Sequence, residues 1–253
     1  MVLAASTLVG AIVFALGDGK PDYLPDSGFP HLASESSGPE TRKAAEMLAQ
    51  GRPKEAAAFL MEHRKEVQDQ PSAQMVLGHA QANAQRSILA LAAYTKAVEL
   101  QPKLARDKLM RTNVELMLAK KAPGVVDAAL ELLGTLSAAG DWAAGDQLVD
   151  LASSSKIPRR RHTALRVADE VGLGDRVDRL SSYLLDLEQG ESCELRKDAV
   201  AKLRTLGDKA AIPHLRKARK RIRTEGALIK RKVNTNACLR TAANEAVRYL
   251  QNL

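Results

Sequence analysis

From Glu40 onward, apolar residues recur three or four positions apart, in short runs divided by Gly and Pro. That spacing places them on one face of an α-helix, and the dividers close one helix and open the next. Arg42 to Gln50 and Lys54 to Val67 predict a first helical pair, joined by Gly51-Arg52-Pro53. Gly51 suits the position just past a helix, where φ is positive, and Pro53 suits a first turn, where its missing N–H is no loss. Ser72 to Ala84 and Ile88 to Leu100 predict a second pair, which Pro102 ends. A third amphipathic pair runs from about Leu104 to Leu136. Beyond it, Asp141 to Ala152, His162 to Val171 and Asp175 to Leu187 predict shorter helices. Leu195, Ala199, Leu203 and Leu206 then step by four, four and three, which predicts one apolar face. Gly207-Asp208 makes the next turn, with Asp208 as a candidate N-cap. Pro213 falls in the first turn of a helix with Ile212, Leu215 and Ile222 inward, continuing through Lys217 to Arg223. Gly226 to Asn236 reads as a loop, and Cys238 to Leu250 as a last helix.

The first two pairs repeat at an interval of 34 residues. Ala44, Met47, Gly51, Ala56 and Leu60 in one correspond to Gly78, Gln81, Gln85, Ala90 and Tyr94 in the other. Leu77, Gly78, Ala90, Tyr94, Ala97 and Pro102 resemble the tetratricopeptide repeat, in which stacked helix pairs share a continuous core. Aromatic residues common early in that motif are replaced by Gln74 and Gln81. The segment containing Leu195, Ala199 and Leu203 resembles a HEAT-type helical repeat. The expected fold is all-α, a solenoid of helical hairpins, tetratricopeptide-like and then HEAT-like. Its expected divisions are an apolar segment at 1–16, a linker at 17–39, tetratricopeptide-like repeats at 40–137 and a HEAT-like region at 138–253.

Residues 2–16 carry no charge. As a helix they reach roughly 22 Å, short of the hydrocarbon core of about 30 Å. The preferred reading is the outer end of a transmembrane helix whose beginning is missing. A signal peptide and a buried core helix are the alternatives, although no basic n-region precedes Val2. Asp18, Lys20, Asp22 and Asp26 make the following flank net acidic, which places it away from the cytoplasm under the positive-inside rule. The expected location is therefore membrane-anchored with the folded part extracytoplasmic, or secreted.

Composition agrees with close-packed helices: 45% of residues are apolar but only 3% aromatic, so Ala, Leu and Val must fill the core. The formal charge of +8 is unevenly spread. Residues 156–253 hold 23 Lys/Arg against 12 Asp/Glu, whereas residues 1–155 hold 15 against 18. A basic C-terminal half permits either a solvated helix surface or an anionic partner.

The Cys193 segment, Leu206-Gly207-Asp208-Lys209-Ala210 and Asn236-Ala237-Cys238-Leu239 stand in one run at 190–250. With the upstream repeats and apolar span, they resemble the C-terminal extracytoplasmic region of myxobacterial serine/threonine protein kinases. The resemblance implies a sensory or docking region attached through the membrane to a kinase. The kinase motifs themselves are absent: there is no glycine-rich phosphate loop, catalytic His-Arg-Asp loop or Asp-Phe-Gly. Any catalytic domain would lie upstream of Met1 or on another chain.

Cys193 and Cys238 open helices that look equivalent, and neighbouring equivalent helices stack. The two sulfurs form a disulfide in one reading and stay as buried free thiols in the other. The five histidines, His31, His63, His79, His162 and His214, are scattered along the chain and read as core or surface residues. No catalytic residue, metal ligand or cofactor is expected. The expected partner is a protein or peptide held on the concave face, where Gln74, Gln81, Asn83 and Gln85 are candidate contacts. An anionic partner would meet the basic edge at Arg216, Lys217, Arg219, Lys220 and Arg221, with Lys230, Arg231 and Lys232 beyond. Nucleic acid is the lesser candidate there, because Tyr249 is the only nearby aromatic for base stacking.

Overall fold

The computed structural model describes residues 37–225 and 231–253. The apolar segment at 2–16, nearly all of the 17–39 linker and His31 lie outside the described residues. Among the described residues, no helix is long and apolar enough to cross a membrane.

The described chain is helical apart from one two-stranded ribbon. Its first helices are α1 (Pro39–Ala49), α2 (Pro53–Glu62), α3 (Arg64–Val67), α4 (Pro71–Asn83) and α5 (Ser87–Leu100). A 3-10 turn then leads to α6 (Lys108–Leu118), α7 (Pro123–Ala138), α8 (Trp142–Ser154) and α9 (Pro158–Glu170). The remainder comprises α10 (Arg179–Gln189), α11 (Cys193–Leu206), α12 (Ala211–Ala218), β1 (Ile222–Glu225), β2 (Arg231–Asn234) and α13 (Arg240–Gln251). Most helices pack on the next helix and on the next but one, so α5 meets α7, α7 meets α9 and α11 meets α13. This is the packing of a helical solenoid.

Local sequence sets the boundaries. Proline opens α1, α2, α4, α7 and α9. Asp107, Asp141, Asp178 and Ser192 cap α6, α8, α10 and α11 by accepting from the backbone N–H of the second or third helical residue. The helices before the tight turns end alike. Arg52 N donates to Met47 O and Arg86 N to Gln81 O, at 2.9 Å each, with Gly51 and Gln85 both at positive φ. Gln85 is thus a side-chain-bearing residue at a place that favours glycine, 34 residues after Gly51.

Two apolar cores result. The first runs from Ala44 to Val177 and the second from Leu187 to Leu250. Packing is therefore continuous across 137/138, where the change of repeat was expected, because α7 and α8 form a hairpin and α7 packs on α9. The cores meet instead near α10. Within the first, Ala90, Tyr94 and Ala97 are fully buried, and a Cβ on Gly78 would collide with the Tyr94 ring. Leu77 is half-buried against this core.

Several expected positions differ. Pro102 is exposed, and it ends α5 without joining the core. Leu195 is 55% exposed, whereas Ala199 and Leu203 are buried beside Arg196 and Val200. Steps of four residues drift roughly 40° each, so two of them carry Leu195 to the side of the stripe centred on Leu203. Asp208 does not cap α12; its carboxylate accepts from Ala210 N at 2.8 Å, ahead of the helix. The helix stops at Ala218 and does not continue to Arg223, and Ile222 is exposed. Like charges four apart, at Arg216/Lys220, Lys217/Arg221 and Arg219/Arg223, disfavour its extension. Ile222–Glu225, where the helix was expected to end, and Arg231–Asn234, within the expected loop, pair antiparallel, Ile222 opposite Asn234.

Candidate functional site

A groove of about 510 Å³ opens between α2, α3, α4 and α5. Helix α4 supplies its floor through Gln74, Leu77 and Gln81, spaced three and four apart on one face. Leu89, Ala92, Ala93 and Lys96 of α5 form one wall by the same periodicity. Leu60 and Met61 of α2 form the other. Met61 and Leu89 are 55% and 48% exposed, an apolar pair left facing solvent across the groove. Arg64, Asp69 and Lys96 carry charge around it.

Gln81 is the polar centre of this site. It is 2% exposed, so it is a buried residue and not the surface contact that its type suggested. Its Nε2 makes a weak contact to Met61 Sδ at 3.7 Å, and its Oε1 is buried without a hydrogen-bond donor. Gln74 is half-buried in the same groove. Asn83 and Gln85 are elsewhere, around a small depression at the end of the hairpin, and Asn83 Nδ2 donates to His79 O at 2.9 Å. The four candidates therefore do not share a face: Gln81 and Asn83 point roughly 200° apart.

Behind the floor lies a closed polar network. Asn113 Nδ2 of α6 donates to Tyr94 Oη at 2.7 Å, and Tyr94 Oη is 2.9 Å from His79 Nδ1. Since the hydroxyl accepts from Asn113, its own hydrogen goes to an unprotonated Nδ1. The imidazole proton then sits on Nε2, 3.7 Å from Asp107 Oδ1. Burial pushes the Tyr94 hydroxyl far above its ordinary value. His79 and Tyr94 are fully buried, so this network fixes the relative positions of α4, α5 and α6 and meets no solute. Spacing along the chain conceals it, because its carboxylate and amide come from the following repeat unit.

At the C-terminal edge, Cys193 and Cys238 are joined by a disulfide, with Cα atoms 6.5 Å apart. It ties the start of α11 to the turn before α13. Arg216, Lys217, Lys220 and Lys232 are exposed and Arg221 is half-buried. Arg219 is already engaged, donating to Asn244 Oδ1 at 2.6 Å and to Arg216 O at 3.1 Å. Lys230 and the side chain of Arg231 lie outside the described residues. Among the described residues, no group of three or more His, Cys, Asp or Glu side chains could hold a metal ion.

The two cores meet through a charged joint. Arg161 of α9 is fully buried and pairs with Asp186 of α10, which is also 2.7 Å from His162 Nε2. Burial opposes ionisation of Asp186, but His162 and Arg161 outweigh it and hold its carboxyl below the usual carboxylate range. A carboxylate depressed by folding adds stability that is complete above its unfolded pKa, about 3.9, and is lost as pH falls through the lower folded value. Replacing Asp186→Asn is expected to cost on the order of 3 kcal/mol at pH 7, because it leaves the Arg161 charge buried. It should also flatten the loss of stability at acid pH. Urea unfolding at neutral and at acid pH checks both; the same acid loss in variant and wild type would contradict the assignment.

The described residues form a largely helical, solenoid-like stack with an open groove of mixed apolar and polar lining. Comparison with family models, with characterised proteins and with solved structures gives no match.

Proposed function

We propose that this chain is a non-catalytic interaction module that holds a peptide segment of a partner protein in the α2/α4/α5 groove. The observation that carries the reading is Gln81, a buried amide with an unused acceptor between exposed Met61 and Leu89. A peptide entering the groove would cover both apolar side chains and bring a backbone N–H to Gln81 Oε1, removing the cost of a buried unmatched acceptor. The repeats are tetratricopeptide-like and then HEAT-like in this reading. The shared end geometry at Gly51 and Gln85 and the close approach of Gly78 to Tyr94 support the first assignment.

The module belongs, in the same proposal, on the extracytoplasmic side of a membrane, as the C-terminal part of a serine/threonine kinase or a piece split from one. The Cys193–Cys238 disulfide supports an oxidising compartment. A secreted or envelope scaffold is the second reading, which the disulfide favours equally.

Selection from a random-peptide display library tests the groove. Sequences enriched on the wild type should weaken by about tenfold or more on Leu89→Arg, which puts a charge on an apolar anchor. Leu89 is half exposed, so the variant keeps its fold. Peptides that bind Leu89→Arg as well as wild type would sink the reading.

A further inference from the structure

The second core carries its own cleft, of about 430 Å³, between α10, α12 and the turns flanking the β ribbon. That volume lies within the range of roughly 300–1,000 Å³ typical of small-molecule sites. Leu184, Leu187 and Ala218 give it an apolar side. Lys217, Lys220 and Arg221 line the other, with His214 nearby and Glu188 as the opposing carboxylate. None of these three cations has a side-chain hydrogen bond or ion pair among the described residues, whereas Arg219 between them is tied to Asn244.

The wall that presents them is fixed. Asn234 Oδ1 accepts from Arg221 N at 3.0 Å and from Asn236 N at 3.1 Å, while Asn234 Nδ2 donates to Arg219 O at 3.1 Å. Thr235 N donates to Arg221 O at 2.9 Å, and Arg196 reaches Thr235 O at 3.1 Å. Asn236 closes the arrangement: its Nδ2 donates to Ala218 O at 2.7 Å. Its Oδ1 is buried without a donor, in a residue only 3% exposed that lines the cleft. These bonds fix the backbone that carries Lys220 and Arg221, while the cationic side chains stay unpaired among the described residues and free to close on an anion.

We propose that this cleft binds a small organic anion whose acidic group meets Lys217, Lys220 and Arg221, whose apolar body covers Leu184 and Leu187, and whose N–H or O–H bonds Asn236 Oδ1. The ligand class is an amphipathic carboxylate, sulfonate or phosphate monoester. Inorganic phosphate satisfies the cations but leaves the apolar side uncovered. Glu188 sets a limit on affinity, since its charge repels the acid that its neighbours attract.

The test uses 8-anilinonaphthalene-1-sulfonate, which has a sulfonate, an aromatic body and one N–H, titrated into the full chain by fluorescence. Saturable one-site binding is expected. The double variant Lys217→Glu/Lys220→Glu should weaken it by about tenfold or more, and Glu188→Gln should tighten it by about twofold. Indole-3-acetate, which has a carboxylate, an apolar body and one N–H, should displace the dye, and inorganic phosphate at equal ionic strength should not. All substituted residues are exposed, and circular dichroism verifies that each variant is folded. Unsaturable dye binding, or dye binding unchanged in the folded double variant, would overturn the proposal. So would displacement by phosphate as effective as by indole-3-acetate. The peptide groove lies in the other core, so neither site's failure decides the other.

Discussion

Removing the Cys193–Cys238 disulfide is expected to destabilise the C-terminal core by about 4 kcal/mol, the chain-entropy value for a 45-residue interval. The effect is large because that core is small. Its cluster contains ten buried apolar residues, three of them alanine. Alanine adds little area to remove from water, so each constraint on the unfolded chain carries a larger share of the total. The bridge also holds the segment from which α13 starts, and α13 contributes Ala246, Val247 and Leu250 to the same core. Urea unfolding of the wild type with and without reductant, and of Cys193→Ser/Cys238→Ser, gives the number. The loss should fall on the C-terminal core and leave the first core's transition in place. A change below about 1 kcal/mol would mean the bridge does not constrain this core.

Tyr94→Ala should cost about 4 kcal/mol, within the range for emptying a large buried aromatic site. Tyr94 is fully buried, and its ring fills the space that Gly78 leaves open between α4 and α5. Truncation removes that packing and strands the Asn113 amide and His79 Nδ1 together. Tyr94→Phe separates the two effects. It keeps the ring but deletes the hydroxyl that links donor to acceptor, for an expected loss of about 2 kcal/mol. Equilibrium denaturation of both variants supplies the comparison. A Phe variant as stable as wild type would show that the hydroxyl does not hold the network together.

The 3.6-residue periodicity, the prolines at helix starts and the glycines past helix ends made the helical fold legible from the sequence. The core role of Gly78, Ala90 and Tyr94 was legible as well, because a 34-residue repeat relates them to Ala44, Ala56 and Leu60. Leu195 was misread since residue type and spacing do not reveal which side of a stripe a neighbouring helix covers. The ribbon at Ile222–Glu225 and Arg231–Asn234 was hidden within a basic run whose amide-rich end, Asn234 to Asn236, folds back on it. Gln81 lines the groove but is not the exposed contact expected of it. Its type suggested exposure, whereas its value to the groove comes from being buried with an unused acceptor. The joint of Arg161, His162 and Asp186 left no local signal, because Asp186 is 25 and 24 residues from the other two and meets them only when α9 packs against α10.

A peptide selected on the wild type, carrying a benzophenone at its centre, is irradiated in complex with the full chain and the linked residues are read by mass spectrometry. The groove predicts cross-links at Met61, Leu77 and Leu89, all within one lining. Cross-links confined to the second core, at α11 to α13, would contradict it.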